Sequence, residues 1–109
     1  MEINLNIYGK DKQIAKTHTV EGYDLMMGTI EDFMEIVDVE HLDDYVAVSK
    51  MIMNGYKQVK PLLKDVFPEL TDEEFRGIRL SELVGVMINI GRAAIENLSI
   101  LKQGNPQRA

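Results

Sequence analysis

Ile3, Leu5 and Ile7 alternate with Glu2, Asn4, Asn6 and Tyr8, the two-residue period of a strand with one face turned inward. Gly9-Lys10-Asp11-Lys12 carries turn chemistry. The segment from Gln13 to Val20, with Ile14, Thr17, Thr19 and Val20, reads as a second strand, so a β-hairpin is predicted over residues 2–20. A lone hairpin is marginal in water, so this one has to lie on helices or extend a partner's sheet.

After Gly22 the period changes. Met26, Met27, Ile30, Phe33, Met34 and Val37 recur three or four apart and predict a helix over about 24–37. A second helix is predicted over about 41–66, burying Leu42, Tyr45, Val46, Ile52, Met53 and Tyr56. Pro61 breaks or restarts it, and Phe67-Pro68 stops it. Thr71 and Glu74 then stand where a reciprocal capping box requires them, and Leu70 and Phe75 where a hydrophobic staple belongs, so a short helix follows over about 72–77. Ser81 can cap a last helix over about 82–101, and Gly104-Asn105-Pro106 ends regular structure, leaving 102–109 as a flexible polar tail. The expected fold is α+β, mostly α: an N-terminal β-hairpin followed by a compact bundle of about four helices in a single domain over 1–101. A chain of 109 residues buries roughly two thirds of its unfolded surface, enough for one core and too little for two.

Composition narrows the chemistry. The absence of cysteine excludes disulfides, thiolate nucleophiles, Cys-ligated zinc and iron–sulfur clusters, and fits a reducing cytosol. A formal charge of -6 argues against a nucleic-acid partner, which requires a surplus of Lys and Arg. Met1-Glu2-Ile3-Asn4 lacks the basic start of a signal peptide, and no lipidation motif is present. The most apolar stretch, Leu83 to Leu101, contains Arg92 and Glu96, whereas a bilayer span needs roughly 20 mostly apolar residues, so no membrane association is expected.

Candidate catalytic groups do not assemble. His18 and His41 are 23 positions apart without zinc-type pairing, and neither glycine-rich phosphate loops nor a G-x-S-x-G elbow occurs. The chain is therefore expected to be no enzyme and to use no cofactor. Asp38-Val39-Glu40-His41-Leu42-Asp43-Asp44 is the best candidate for a metal, but as an EF-hand loop it has Asp43 where glycine is needed and Ser49 where glutamate is needed. These acids fit helix capping at a positive dipole end, and no metal site is assigned.

Charge is polarised along the chain. Glu21 to Asp44 contains nine acids (Glu21, Asp24, Glu31, Asp32, Glu35, Asp38, Glu40, Asp43 and Asp44) and no Lys or Arg. Tyr45 to Lys64 contains Lys50, Lys57, Lys60 and Lys64 and no acid. Lys50, Lys57 and Lys64 are seven apart, and a continuous helix would display them as one stripe. Acidic and basic blocks can pair within one molecule as antiparallel helices, the commoner arrangement, or dock head to tail between neighbours.

The last helix is apolar over much of its circumference. Leu83, Val86, Met87, Ile90, Ala94, Leu98 and Leu101 form one stripe, and Val84, Ile88, Gly91 and Ile95 an adjoining one. Such a helix is either central in the core or presents a second face to a partner. Gly85, Gly91, Ala93 and Ala94 keep it thin in places, and seven methionines supply adaptable packing. Candidate partner-binding residues are therefore Lys50, Lys57, Lys64, Val84, Ile88 and Ile95.

After the hairpin come Tyr56-Lys57-Gln58-Val59-Lys60-Pro61-Leu62-Leu63, then Val66-Phe67-Pro68-Glu69-Leu70-Thr71 with Glu74, then Ile78-Arg79-Leu80-Ser81-Glu82-Leu83 opening a long apolar helix. In this order they resemble the tail assembly chaperones of long-tailed bacteriophages and prophages, over residues 1 to 101. The resemblance implies a protein without catalytic residues that binds the tape-measure protein and keeps it soluble while tail-tube subunits polymerise around it. It implies work in the host bacterial cytoplasm and absence from the mature virion, while a possible homo-oligomer is the head-to-tail reading of the polarised charge. Members often have a longer, frameshifted form, whose extension would join here after Leu101. The alternative is a virion structural protein, such as a head–tail connector or tube-associated subunit.

Overall fold

The computed structural model describes the backbone of residues 2–104 and the side chains of residues 2–97. Strands β1 (Glu2–Tyr8) and β2 (Ile14–Glu21) form a two-stranded antiparallel sheet with Leu5 opposite His18 and Asn6 opposite Thr17. The turn between them closes with Gly9 N–H donating to Gln13 C=O at 2.9 Å, and Lys12 takes the left-handed conformation at φ 65°. A bulge between Ile7 and Tyr8 brings Tyr8 opposite Ile14. The outer face carries a polar ladder, Thr19 donating to Asn4 at 2.7 Å and Thr17 to Asn6 at 2.8 Å. The inner face buries Ile3, Leu5 and Ile7. As an isolated hairpin would be marginal, it rests on the helices.

The helices are α1 (Met27–Ile36), α2 (Tyr45–Asn54), α3 (Tyr56–Val66), α4 (Asp72–Arg76) and α5 (Leu80–Gly104). The architecture is thus α+β and mostly α, a hairpin followed by helices. The core joins Ile3, Leu5 and Ile7 to Phe33, Ile36, Val48, Ile52, Val59, Leu62, Leu63 and, from α5, Val84, Met87 and Ile90. Helix α5 crosses beneath the hairpin and also meets α1 and α2, which makes it the central element.

Several helix starts differ from the sequence reading. Residues Gly22–Asp24 form a 3-10 turn and Leu25 is extended, so α1 begins at Met27 instead of residue 24. Residues Val39–His41 form a second 3-10 turn, after which Asp44 caps α2 by accepting from Ala47 N–H at 3.0 Å. The helix expected over 41–66 is two helices. It is interrupted at Gly55, and Pro61 lies inside α3 on its exposed side, where its ring removes only the bond to the Lys57 carbonyl. Val48 and Ile52 are buried from α2, while Tyr45, Val46, Met53 and Tyr56, expected inside, are exposed; Met26, Met27 and Met34 also face outward.

Thr71 and Glu74 form the expected capping box around α4. Helix α5 starts two residues before the predicted point, so Ser81 lies in its first turn, and the helix continues to Gly104 beyond the expected end at Leu101. Of the expected tail, residues 105–109 lie outside the described residues, as do the side chains of Leu98 and Leu101.

Candidate interaction surface

The hairpin is fixed to the helices at two points. Tyr8 donates to Glu82 at 2.8 Å, Asn6 reaches the same oxygen at 3.3 Å, and the Arg79 guanidinium lies 4.0 Å above the Tyr8 ring. The Glu82 carboxylate, accepting the phenol proton, raises the Tyr8 pKa. On the neighbouring strand His18 and Lys16 meet Glu74 of α4 at 3.1 and 3.4 Å. Its pKa is lowered, first by the Thr71 N–H that it accepts, then by His18 and Lys16, against the opposing effect of burial.

This bracing holds α4 and the start of α5 beside the α2–α3 junction, and an apolar groove opens there. Met53, Tyr56, Phe75, Ile78, Leu80 and Leu83 line it with Arg76, enclosing about 190 Å³. Met53, Tyr56 and Leu80 are 58%, 53% and 56% exposed. A second, more open depression continues past Met53 and Tyr56 to Lys57 and Gln58. Neither depression is lined by an acid, so a chain of net charge -6 has here an apolar floor with a cationic edge. The sequence reading missed this groove because it treated residues 41–66 as one helix; Asn54-Gly55, a helix-stop pair, was the signal that could have found it.

The expected lysine stripe is not one surface. Gly55 puts Lys50 on α2 and Lys57 and Lys64 on α3. Lys64 pairs with Asp72, which Lys60 also approaches at 3.8 Å, and these lysines hold the Asp72 carboxyl below its usual range. Lys57 lies along a groove with Asp32 and Glu35, so part of the acidic block faces part of the basic block within one molecule. Lys50 is exposed, with no ion-pair partner among the described residues.

The second face of the last helix also divides. Val84 is fully buried, which corrects its assignment as a partner contact: α5 is central, and Val84 packs in the core. Ile88 is half-buried against that core, and Ile95 alone of the three is open, at 41% exposure. Gly91 is filled from inside the molecule, with the Leu42 methyls 2.8 Å and the Phe33 ring 3.0 Å from where its Cβ would stand; around Gly85 the space is empty.

In the segment weighed for metal binding, Asp38 accepts from Glu40 N–H at 3.0 Å and contacts His41 at 3.1 Å, while Asp44 caps α2. Among the described residues no three His, Asp or Glu side chains converge as a metal site would require, and no helix is long and apolar enough to cross a membrane. Comparison with known proteins finds no matching family model, no matching curated protein and no matching solved structure.

Proposed function

We propose that this chain is a tail assembly chaperone of a long-tailed bacteriophage or prophage, which binds the tape-measure protein, keeps it soluble and helps recruit tail-tube subunits in the host cytoplasm. The observation that carries the reading is the apolar groove at the α2–α3 junction. Its open floor and cationic edge suit an amphipathic helix that inserts apolar side chains one turn apart and presents acids along its flank. The sequence stretches that resemble the family supply that groove: Tyr56 opens one, and Ile78, Leu80 and Leu83 belong to another. The activity is reversible contact, with no reacting group and no cofactor.

Co-expression with a tape-measure protein tests this reading. The long partner stays soluble with the wild-type chain and precipitates with a Tyr56→Asp/Leu80→Asp variant, whose circular dichroism is unchanged because both side chains are exposed. A partner that precipitates equally with the wild type, or that the variant protects as well, rules the proposal out. Recovery of the chain from purified virions by mass spectrometry would favour a structural component of the particle instead.

A further inference from the structure

Four cations stand together where the hairpin turn meets the link between α4 and α5. Lys10 and Lys12 belong to the turn, Arg76 ends α4, and Arg79 follows in the link. Hydrogen bonds tie these places to one another. Tyr8 N–H donates to Gly77 C=O at 3.2 Å, and Arg79 Nη2 donates to Lys12 C=O at 3.2 Å while its guanidinium lies over the Tyr8 ring. All four cations are exposed, and none has an ion-pair partner among the described residues. The acids beside them are engaged by other donors: Asp11 accepts Gln13 N–H at 3.0 Å, and Glu82 accepts the Tyr8 hydroxyl. Lys12 adds a second observation. Its φ of 65° is a conformation that Gly or Asn adopts with less strain than lysine. Strain of this kind gathers at ligand clamps and binding sites, and here it sets a cation on the surface.

We propose that Lys10, Lys12, Arg76 and Arg79 bind an acidic stretch of a partner polypeptide that adjoins the apolar helix held in the groove. The inference rests on the function proposed above, which assigns the groove to such a helix. Arg76 belongs to both surfaces: it lines the groove with Phe75, Ile78 and Leu80, and it borders the cationic patch. A polypeptide with apolar anchors followed by acids fits both at once, whereas a nucleic acid would use the cations and leave the groove empty. Four cations on a chain of net charge -6 also neutralise few phosphates, and affinity for nucleic acid rises with the number neutralised. Charge complementarity fixes orientation and partner choice more than it adds affinity. The patch therefore sets the direction in which the helix lies, with its acidic end toward the hairpin turn.

Overlapping peptides spanning the tape-measure protein, probed with the full chain, test the proposal. The wild type retains peptides in which apolar residues three and four apart adjoin a run of acids. Lys10→Glu/Arg76→Glu retains them at least about tenfold more weakly at low salt, and by a smaller factor at high salt. Lys10→Gln/Lys12→Asn removes two cations and relieves the strain at residue 12. It weakens retention about fivefold while its urea midpoint is no lower than that of the wild type, a combination that a merely structural role would not give. Retention of peptides without acids, or equal retention by the charge variants, overturns this inference and leaves the groove reading standing. If no peptide is retained, or if Tyr56→Asp/Leu80→Asp retains the same ones, the groove reading falls and this inference with it. A single-stranded oligonucleotide that binds the patch as tightly as the peptides overturns it in favour of nucleic acid.

Discussion

The Glu74 carboxylate lies 3.1 Å from the His18 imidazole, and the same oxygen accepts the Thr71 backbone N–H that starts α4. One side chain therefore caps a helix and ties it to the second strand. Its ionised form is favoured in the folded protein, chiefly by the Thr71 N–H and further by His18 and Lys16. A carboxylate whose folded pKa lies below its unfolded value stabilises the fold above the unfolded pKa and loses that contribution as pH falls through the folded one. Glu74→Gln should then lower the urea midpoint at neutral pH, and its deficit should shrink as the solution is acidified below the ordinary carboxylate range. A deficit that is constant with pH would show that the charge is unimportant. Thr71→Ala, which removes the other half of the capping box, should cost about 1 kcal/mol.

Gly85 and Gly91 of α5 should respond oppositely to alanine. At Gly85 a Cβ meets open space, so Gly85→Ala should stabilise by about 0.5–1 kcal/mol through helix propensity. At Gly91 the Cβ would press on Leu42 and Phe33. Overpacking there costs about 1–3 kcal/mol and outweighs the propensity gain. Denaturant titrations of both variants decide it, and equal responses would contradict the packing described.

Val84 and Ile95 differ by burial alone in what they should show. Val84→Ala removes methyls from a fully buried site and should cost about 2 kcal/mol. Ile95→Ala, at an open position, should stay within about 0.5 kcal/mol of the wild type. Thermal and urea unfolding of the pair check the ranking.

Where local chemistry decides the structure, the chain could be read directly. Strand alternation in Ile3, Leu5 and Ile7 places the hairpin, and the Thr71–Glu74 box places α4, because each signal spans a few residues and needs no distant partner. The α2–α3 region was not legible in that way. Leu42, Tyr45, Val46, Met53 and Tyr56 fit one apolar face of a continuous helix, but Leu42 is buried from the segment before α2, α2 turns its Val48 and Ile52 face inward instead, and Tyr56 lies beyond the break at Gly55, so the other four are exposed. The residues of the groove come from α2, α3, α4, α5 and the segment between the last two, so no single periodicity carries them. Val84 was misplaced for a related reason: an apolar stripe does not reveal that neighbours surround α5 on more than one side.

Gly55 has an energetic consequence as well as a geometric one. It ends α2 before α3 begins, leaving Lys50 exposed on one helix and Lys64 paired with Asp72 on the other. Sites that share no partner respond to substitution additively. Changes around Lys50 and around Lys64 should therefore sum without coupling, so the exposed surface around Lys50 can change by mutation while the anchoring of α3 to α4 stays intact.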